Sequence, residues 1–241
     1  MRGFKKRRVL PLLAVLLLQA CGGGGGGGGA IQIDPSALAT PQPPPPPSAG
    51  TACAALRGAK VDSAAIGLPT QGATVTEAAL VPSAGQTGEH CMLKGRIASV
   101  SEGAQDIMFA LVLPTNWKGN AMHFGGGGFD GVVPDLVATP LTSGASPLQR
   151  GYATFAGDSG HQAPPTDPFY TAFASNDEML RNYAGDALKK TRDVAMKLIG
   201  LRYGKAPART YFMGGSKGGH EGMQVMQKWP SDYDGVVTYF P

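Results

Sequence analysis

The sequence predicts an α/β protein with a mixed sheet, and three observations support this class. Two apolar runs, 92–100 and 106–113, are separated by a short turn and predict an antiparallel hairpin. Further along the chain, strand-like runs alternate with helical patterns, which predicts parallel strands joined by right-handed crossovers. The sequence Gly-x-Ser-x-Gly stands between one such strand and the helix that follows it. We therefore expect a hairpin that leads into a set of parallel strands.

The first 20 residues are typical of an export signal and not of a folded domain. Five basic residues precede an apolar run, 9–18, that is too short to span a bilayer comfortably. The segment Leu18-Gln-Ala-Cys21 resembles the lipobox of bacterial lipoproteins, in which the cysteine carries the lipid. We expect a lipoprotein held through Cys21 at the outer membrane or the periplasmic face. A periplasmic or secreted protein with a plain signal is the alternative, because Gln19 is uncommon at its position.

The net charge depends on this segment. The whole chain has 21 Lys and Arg against 17 Asp and Glu, a net charge of +4. Residues 1–20 contain five of the basic residues and no acidic one, so the remainder carries a net charge of −1. The remainder shows no basic excess of the kind that binds nucleic acid, and we expect no nucleic-acid partner.

Low-complexity sequence fills residues 21–50. Eight glycines, Gly22–Gly29, are followed by a proline-rich stretch at 41–47. Polyglycine is a flexible coil and polyproline is a stiff extended spacer, and neither buries a core. The sequence predicts a disordered tether over 21–50 and one folded domain over 51–241.

Three cysteines are present, and lipid on Cys21 would leave Cys53 and Cys91. In an oxidising compartment these two are expected to form a disulfide. Two free buried thiols are the alternative. The Cys and His spacings of metal or redox sites are absent from the sequence, so we predict neither a metal nor a cofactor.

The remaining elements follow from periodicity and turn residues. A short helix is predicted over 53–60, and residues 61–90 are predicted as loops with one short strand at most. The clearest helical pattern covers 181–202, with Lys190 and Asp193 among its outward positions. The six predicted strands are 92–100, 106–113, 120–124, 152–156, 211–213 and 232–240.

The Gly214-x-Ser216-x-Gly218 motif connects the strand 211–213 to a helix. A serine on such a strained turn requires small neighbours, because the strand and helix backbones pass close together. The turn predicts Ser216 as a nucleophile and the backbone N–H of Lys217 as an oxyanion donor. A chance glycine-rich match is the alternative.

Four glycines, Gly125–Gly128, follow the strand 120–124. Glycines at the end of a strand let the backbone approach another group closely. We predict that the N–H of Gly127, or that of Gly126, is the second oxyanion donor. A flexible loop without a role is the alternative.

Asp158 and His161 lie in the loop after the strand 152–156, at the same edge as the motif. We expect them to face the substrate or to fix the loop; His161 as a general base is a weaker alternative. His220, four residues after Ser216 on the following helix, is a poor base because that helix runs away from the cleft. His123 is expected to pack beside the glycine loop.

Four stretches together resemble the tannase/feruloyl esterase family of α/β-hydrolases. They are Leu113-Pro-x-x-Trp117 with Lys118-Gly119, Gly125–Gly131, Gly151–His161, and Tyr211–Gly219 with Trp229–Val237. The resemblance implies an α/β-hydrolase core and a serine carboxylesterase that acts on phenolic-acid (feruloyl- or galloyl-type) esters without a cofactor. One departure is Gly215, where family members usually carry a cysteine.

A second departure concerns the end of the sequence. In the family, the lid, the catalytic acid and the histidine follow the sixth strand, whereas this sequence ends at Pro241. We therefore expect an incomplete core: a fragment without its lid, last strands, acid and histidine, inactive alone. The alternative is a catalytically inactive truncated product or a lipid-tethered binding remnant of the same fold. The sequence indicates no oligomeric state.

Overall fold

The structure is a computed structural model that describes residues 47–138, 144–164, 166–167 and 169–241. The predicted export signal, the lipidation site at Cys21 and nearly all of the predicted tether lie outside these residues. Within the part that is described, no helix is long and apolar enough to cross a membrane.

One mixed sheet of eight strands organises the domain, in the order β1-β2-β3-β4-β6-β5-β7-β8. The pairs from β1 to β6 are antiparallel, and the pairs β6–β5, β5–β7 and β7–β8 are parallel. The strands are β1 Lys60–Val61, β2 Ala73–Val81, β3 His90–Ile97, β4 Ile107–Pro114, β5 Asn120–Phe124, β6 Ala153–Gly157, β7 Arg209–Gly215 and β8 Gly235–Tyr239. The predicted hairpin, β3 with β4, and the predicted parallel pairing are confirmed.

Four α-helices accompany the sheet in the described residues: α1 Ala49–Ala54, α2 Asp177–Arg181, α3 Ala187–Tyr203 and α4 Lys217–Lys228. Helix α1 begins earlier than the predicted 53–60, because Ser48 caps it by accepting a hydrogen bond from Thr51 N–H at 3.2 Å. Helix α3 ends where Gly204 takes a left-handed conformation with φ of 70°.

The prediction for residues 61–90 is wrong, because they include the nine-residue strand β2. Its alanines and threonines give little hydrophobic alternation, and a bulge between Val75 and Glu77 breaks the period of two. Strands β1 and β2 therefore precede the six predicted strands. The strand before Ser216 is the seventh in the chain and not the fifth.

Two charged residues of α3 that were predicted to point outward are buried. Lys190 donates a hydrogen bond to Asn182 Oδ1 at 3.0 Å and lies 3.7 Å from the Glu178 carboxylate. Asp193 accepts a hydrogen bond from Gly67 N–H at 2.9 Å. Burial of these charges requires partners from other elements, which periodicity within one helix does not reveal.

The core lies on both faces of the sheet. Leu111 and Val112 are adjacent on β4, so their side chains point to opposite faces of the sheet. Both are fully buried, which shows that the sheet is covered on both faces. Helix α3 covers the face of Leu111 with the buried side chains Val194, Ala195, Leu198 and Ile199. The opposite face buries Val112, Met122, Phe124, Leu136, Leu148 and Ala156.

Cys53 and Cys91 form the predicted disulfide, which joins the end of α1 to β3. Both cysteines are buried, so the alternative of two free thiols is wrong. The bond fixes the first helix to the sheet across 38 positions of sequence.

Replacing both Cys53 and Cys91 with alanine should lower the free energy of unfolding by about 3–4 kcal/mol, because the unfolded chain regains the entropy of the open loop. Urea unfolding followed by circular dichroism measures this change. Dithiothreitol should destabilise the wild-type protein by a similar amount and leave the double variant unchanged. Equal midpoints for the variant and the oxidised wild type would contradict the prediction.

Candidate active site

The parallel strands deliver three loops to one edge of the sheet. Phe124 pairs with Met213, so the loop after β5 emerges beside the end of β7. The loop after β6 follows Gly157 at the same edge. Carboxyl ends of parallel strands are where α/β proteins place their ligands.

Ser216 forms a sharp turn between β7 and α4. Its backbone angles are φ 55° and ψ −124°, a conformation that strains a residue with a β-carbon. Ser216 is exposed, and its N–H donates a hydrogen bond to the carbonyl of Tyr239 at 3.1 Å. The turn thus presents the hydroxyl at the edge where the loops meet, in the strand–turn–helix context that the motif requires.

Glycine at the motif positions is required by backbone contacts. A β-carbon on Gly214 would overlap the backbone of Gly218. A β-carbon on Gly218 would lie 2.8 Å from the carbonyl oxygen of Gly126, closer than real side chains approach. Strand, helix and glycine loop therefore meet in direct backbone contact.

The backbone N–H groups of Lys217 and Gly127 have no hydrogen-bond acceptor among the described residues. Lys217 begins α4, where the first N–H groups have no partner within the helix and the dipole favours negative charge. Gly126, the alternative donor, is already engaged, because its N–H donates to Glu221 Oε2 at 3.0 Å. Of the two glycines predicted as donors, Gly127 is the one whose N–H is available.

A buried ionic cluster lies behind these donors. Lys217 Nζ is 3.1 Å from Glu221 Oε1 and 3.7 Å from Asp130 Oδ1. It also lies 4.3 Å from the centre of the Tyr183 ring. Only the backbone of Lys217 was predicted to contribute to the site, and Glu221 and Asp130 were not predicted. The spacing of four residues between Lys217 and Glu221 on one helix was the available signal.

Asp158 and His161 are both buried, so neither side chain is exposed at this edge in the described residues. Asp158 instead fixes its loop by accepting hydrogen bonds from Met108 N–H at 3.1 Å and Gly160 N–H at 2.9 Å. Burial raises the pKa of Asp158 to about 7, although a hydrogen bond from Gln162 acts in the opposite direction.

His161 stacks on Phe173 with ring centres 4.2 Å apart and contacts Tyr183 edge-on. Burial lowers the pKa of His161, although backbone hydrogen bonds with Phe129 and Ser159 act in the opposite direction. A neutral ring that is enclosed in this way has no access to the exposed Ser216 hydroxyl.

The other histidines are also not placed as bases. His123 is buried and hydrogen-bonds through Nδ1 to the Tyr233 hydroxyl at 2.8 Å. Burial lowers the pKa of His123 to about 3, and the positive charge of Arg192 adds to the effect. His220 is exposed on α4, and its hydrogen bond to Ser216 is a backbone one, in which His220 N–H donates to the Ser216 carbonyl at 3.1 Å.

Gly215 directly precedes Ser216 at the end of β7. A β-carbon on Gly215 would overlap the ring of Tyr239, which belongs to the neighbouring strand β8. Tyr239 therefore occupies the space that a side chain at position 215 would need. In the part of the chain that the structure describes, no group of three or more His, Cys, Asp or Glu side chains is arranged to hold a metal ion.

The sheet order and the serine turn define an α/β-hydrolase-like protein, and solved structures share this fold. An esterase from Aspergillus oryzae superposes with a TM-score of 0.59 at 24% identity, over 78% of this chain and 37% of that one. Feruloyl esterase B from the same fungus gives a TM-score of 0.57 at 24% identity, over 78% of this chain and 36% of its own. More specifically, the chain belongs to the tannase and feruloyl esterase family, whose model matches residues 91–241.

Relatives in this family carry esterase names. An uncharacterised esterase from Agrobacterium fabrum is 41% identical over 78% of this chain and 35% of its own length. A mono(2-hydroxyethyl) terephthalate hydrolase from Piscinibacter sakaiensis is 32% identical over 66% of this chain and 28% of its own length. The chain spans about a third of the length of these relatives.

Proposed function

We propose that this protein is part of a serine carboxylesterase that cleaves esters of aromatic acids. The observation that carries the proposal is the strained Ser216 turn, with the free N–H groups of Lys217 and Gly127 beside it. This combination of an exposed hydroxyl and two backbone donors suits acyl transfer. Family membership and the esterase names of the relatives support the same reaction class.

In the proposed mechanism, Ser216 Oγ attacks the ester carbonyl and gives its proton to a histidine. The negative oxygen that forms is stabilised by the N–H groups of Lys217 and Gly127, and one such donor contributes about 3–4 kcal/mol. The alcohol then leaves, and water hydrolyses the acyl-enzyme. Hydrogen bonds of the described histidine side chains go to the Gly88 carbonyl and the Tyr233 hydroxyl and not to Ser216, and we propose that the base and its acid come from residues outside these 241.

The proposed substrates are phenolic-acid esters of the feruloyl or galloyl type. The family is named for tannase and feruloyl esterase, and one relative is named for a terephthalate ester. The acyl parts of feruloyl and terephthalate esters both contain an aromatic ring. The competing hypothesis is a non-catalytic binding remnant, which requires no reactive serine.

A fluorophosphonate probe separates the two hypotheses. With the complete gene product, we expect Ser216 Oγ to bond to phosphorus with loss of fluoride, because an activated serine reacts where ordinary serines do not. Peptide mass spectrometry should place a single adduct on the peptide that contains Ser216, and heat-unfolded protein is the control. Absence of an adduct, or an adduct on another serine, would contradict the esterase assignment.

A further inference from the structure

Glu221 connects three separate segments at the edge of the sheet. Its carboxylate accepts hydrogen bonds from Gly126 N–H at 3.0 Å and from the Ser159 hydroxyl at 3.3 Å. It also pairs with Lys217 Nζ at 3.1 Å. One buried side chain thus ties the glycine loop after β5 and the loop after β6 to helix α4.

Lys217 completes this connection from the residue next to Ser216. Besides Glu221, its ammonium donates a hydrogen bond to the carbonyl of Tyr183 at 3.3 Å and lies 3.7 Å from Asp130 Oδ1. Asp130 packs against the backbone of Gly126, where a β-carbon would overlap its carboxyl group. The three charged side chains are buried, with exposed fractions of 8% for Lys217, 1% for Glu221 and 2% for Asp130.

The cluster is close to neutral at pH 7. Burial and the negative charge of Glu221 together raise the pKa of Asp130 to about 8, although Lys217 acts in the opposite direction. Asp130 therefore keeps its proton while Lys217 and Glu221 form the ion pair. Tyr183 and His161, the other titratable groups that face the cluster, are uncharged, because burial raises the pKa of the first and lowers that of the second.

We propose that Glu221 is a positioning residue of the oxyanion hole. By holding Gly126 N–H and Lys217 together, it fixes the glycine loop against the first turn of α4. Gly126 N–H then points into the protein, and the N–H of Gly127 remains available beside that of Lys217. The inference rests on the proposed function and goes beyond it, because it assigns a role to side chains that do not touch the substrate.

Replacing Glu221 with alanine tests the proposal in the complete gene product. Without the carboxylate the loop is released, and we expect kcat for methyl ferulate to fall about 10- to 100-fold with little change in KM, since small displacements of catalytic groups have effects of this size. Glu221→Gln should retain more activity than Glu221→Ala, because its amide oxygen still accepts a hydrogen bond from Gly126 although the ion pair with Lys217 is lost.

Glu178→Ala is the matched control. Glu178 is also a buried glutamate that accepts backbone N–H groups, from Val100 and Ser101, and it lies near Lys190. We expect Glu178→Ala to lower the free energy of unfolding about as much as Glu221→Ala does, but to leave kcat unchanged. An equal fall of kcat in both alanine variants would overturn the proposal.

The pH profile gives a second readout. Above about pH 8, ionised Asp130 adds a negative charge behind the developing oxyanion, so kcat of the wild type should fall as Asp130 loses its proton. Lys217 is already paired with Glu221, so it does not offset the new negative charge on Asp130. Asp130→Asn cannot ionise and should lose this alkaline limb of the pH profile, whatever its kcat at pH 7. An unchanged alkaline limb in Asp130→Asn would overturn the assigned charges.

Amide hydrogen exchange tests the same proposal in the wild-type protein, so its result does not require that any variant folds. We expect Gly126 N–H to exchange slowly and Gly127 N–H to exchange rapidly; the reverse order would overturn the proposal.

If Ser216→Ala abolishes hydrolysis but the Glu221 variants keep their kcat, only the positioning role fails. If Ser216→Ala also keeps its activity, the proposed function itself fails.

Discussion

Ser216→Ala should reduce kcat for methyl ferulate about a million-fold, since removing the nucleophile of a serine hydrolase has an effect of this order. The remaining rate would come from substrate binding and the two N–H donors, which the substitution leaves in place. The assay uses the complete gene product and follows release of ferulate by absorbance. Ser231→Ala is the matched control, because Ser231 is an exposed serine outside the turn.

Ser216→Gly adds a test of the strained backbone. Alanine retains the β-carbon and the strain at φ 55°, whereas glycine adopts this conformation readily. Glycine should therefore be as inactive as alanine but more stable by about 1 kcal/mol, the scale of the strain at such positions. Substantial hydrolysis by either variant would exclude Ser216 as the nucleophile, and a less stable glycine variant would argue against strain at the turn.

The parts of the site that the sequence predicted are those that depend on local backbone geometry. Gly214 and Gly218 are required by contacts between adjacent segments, so their spacing is visible in the sequence. Gly125–Gly128 follow a strand directly, and their place at the sheet edge follows from the parallel order. Apolar runs likewise predicted six strands, because burial on two faces removes polar residues from them.

The parts that the sequence did not predict depend on contacts between distant segments. Glu221 meets Gly126 and Ser159 only after three strands have paired, so no local pattern indicates its role. His161 is covered by Phe173, which comes from a later segment, and no local pattern indicates this contact. Strand β2 was missed because its alanines carry a weak signal and its place beside β3 provides the burial.

The contact between Gly218 and the glycine loop predicts a second large effect. Gly218→Ala places a β-carbon 2.8 Å from Gly126 O and 2.9 Å from Gly125 C, both of them backbone atoms that cannot rotate away. The loop or the helix must therefore move. Because Lys217 N–H and Gly127 N–H lie on the two sides of this contact, we expect kcat to fall about 100-fold.

Stability should change much less than activity in this variant. Alanine is a better helix former than glycine by about 1 kcal/mol, which offsets part of an overpacking cost of about 1–3 kcal/mol. Gly200→Ala is the matched control: Gly200 lies in α3, and a β-carbon there meets nothing within 4 Å. That variant should gain stability and keep kcat. If Gly218→Ala also kept kcat, close approach of the loop to α4 would not be required for holding the oxyanion, and the two donors would have to be sought elsewhere.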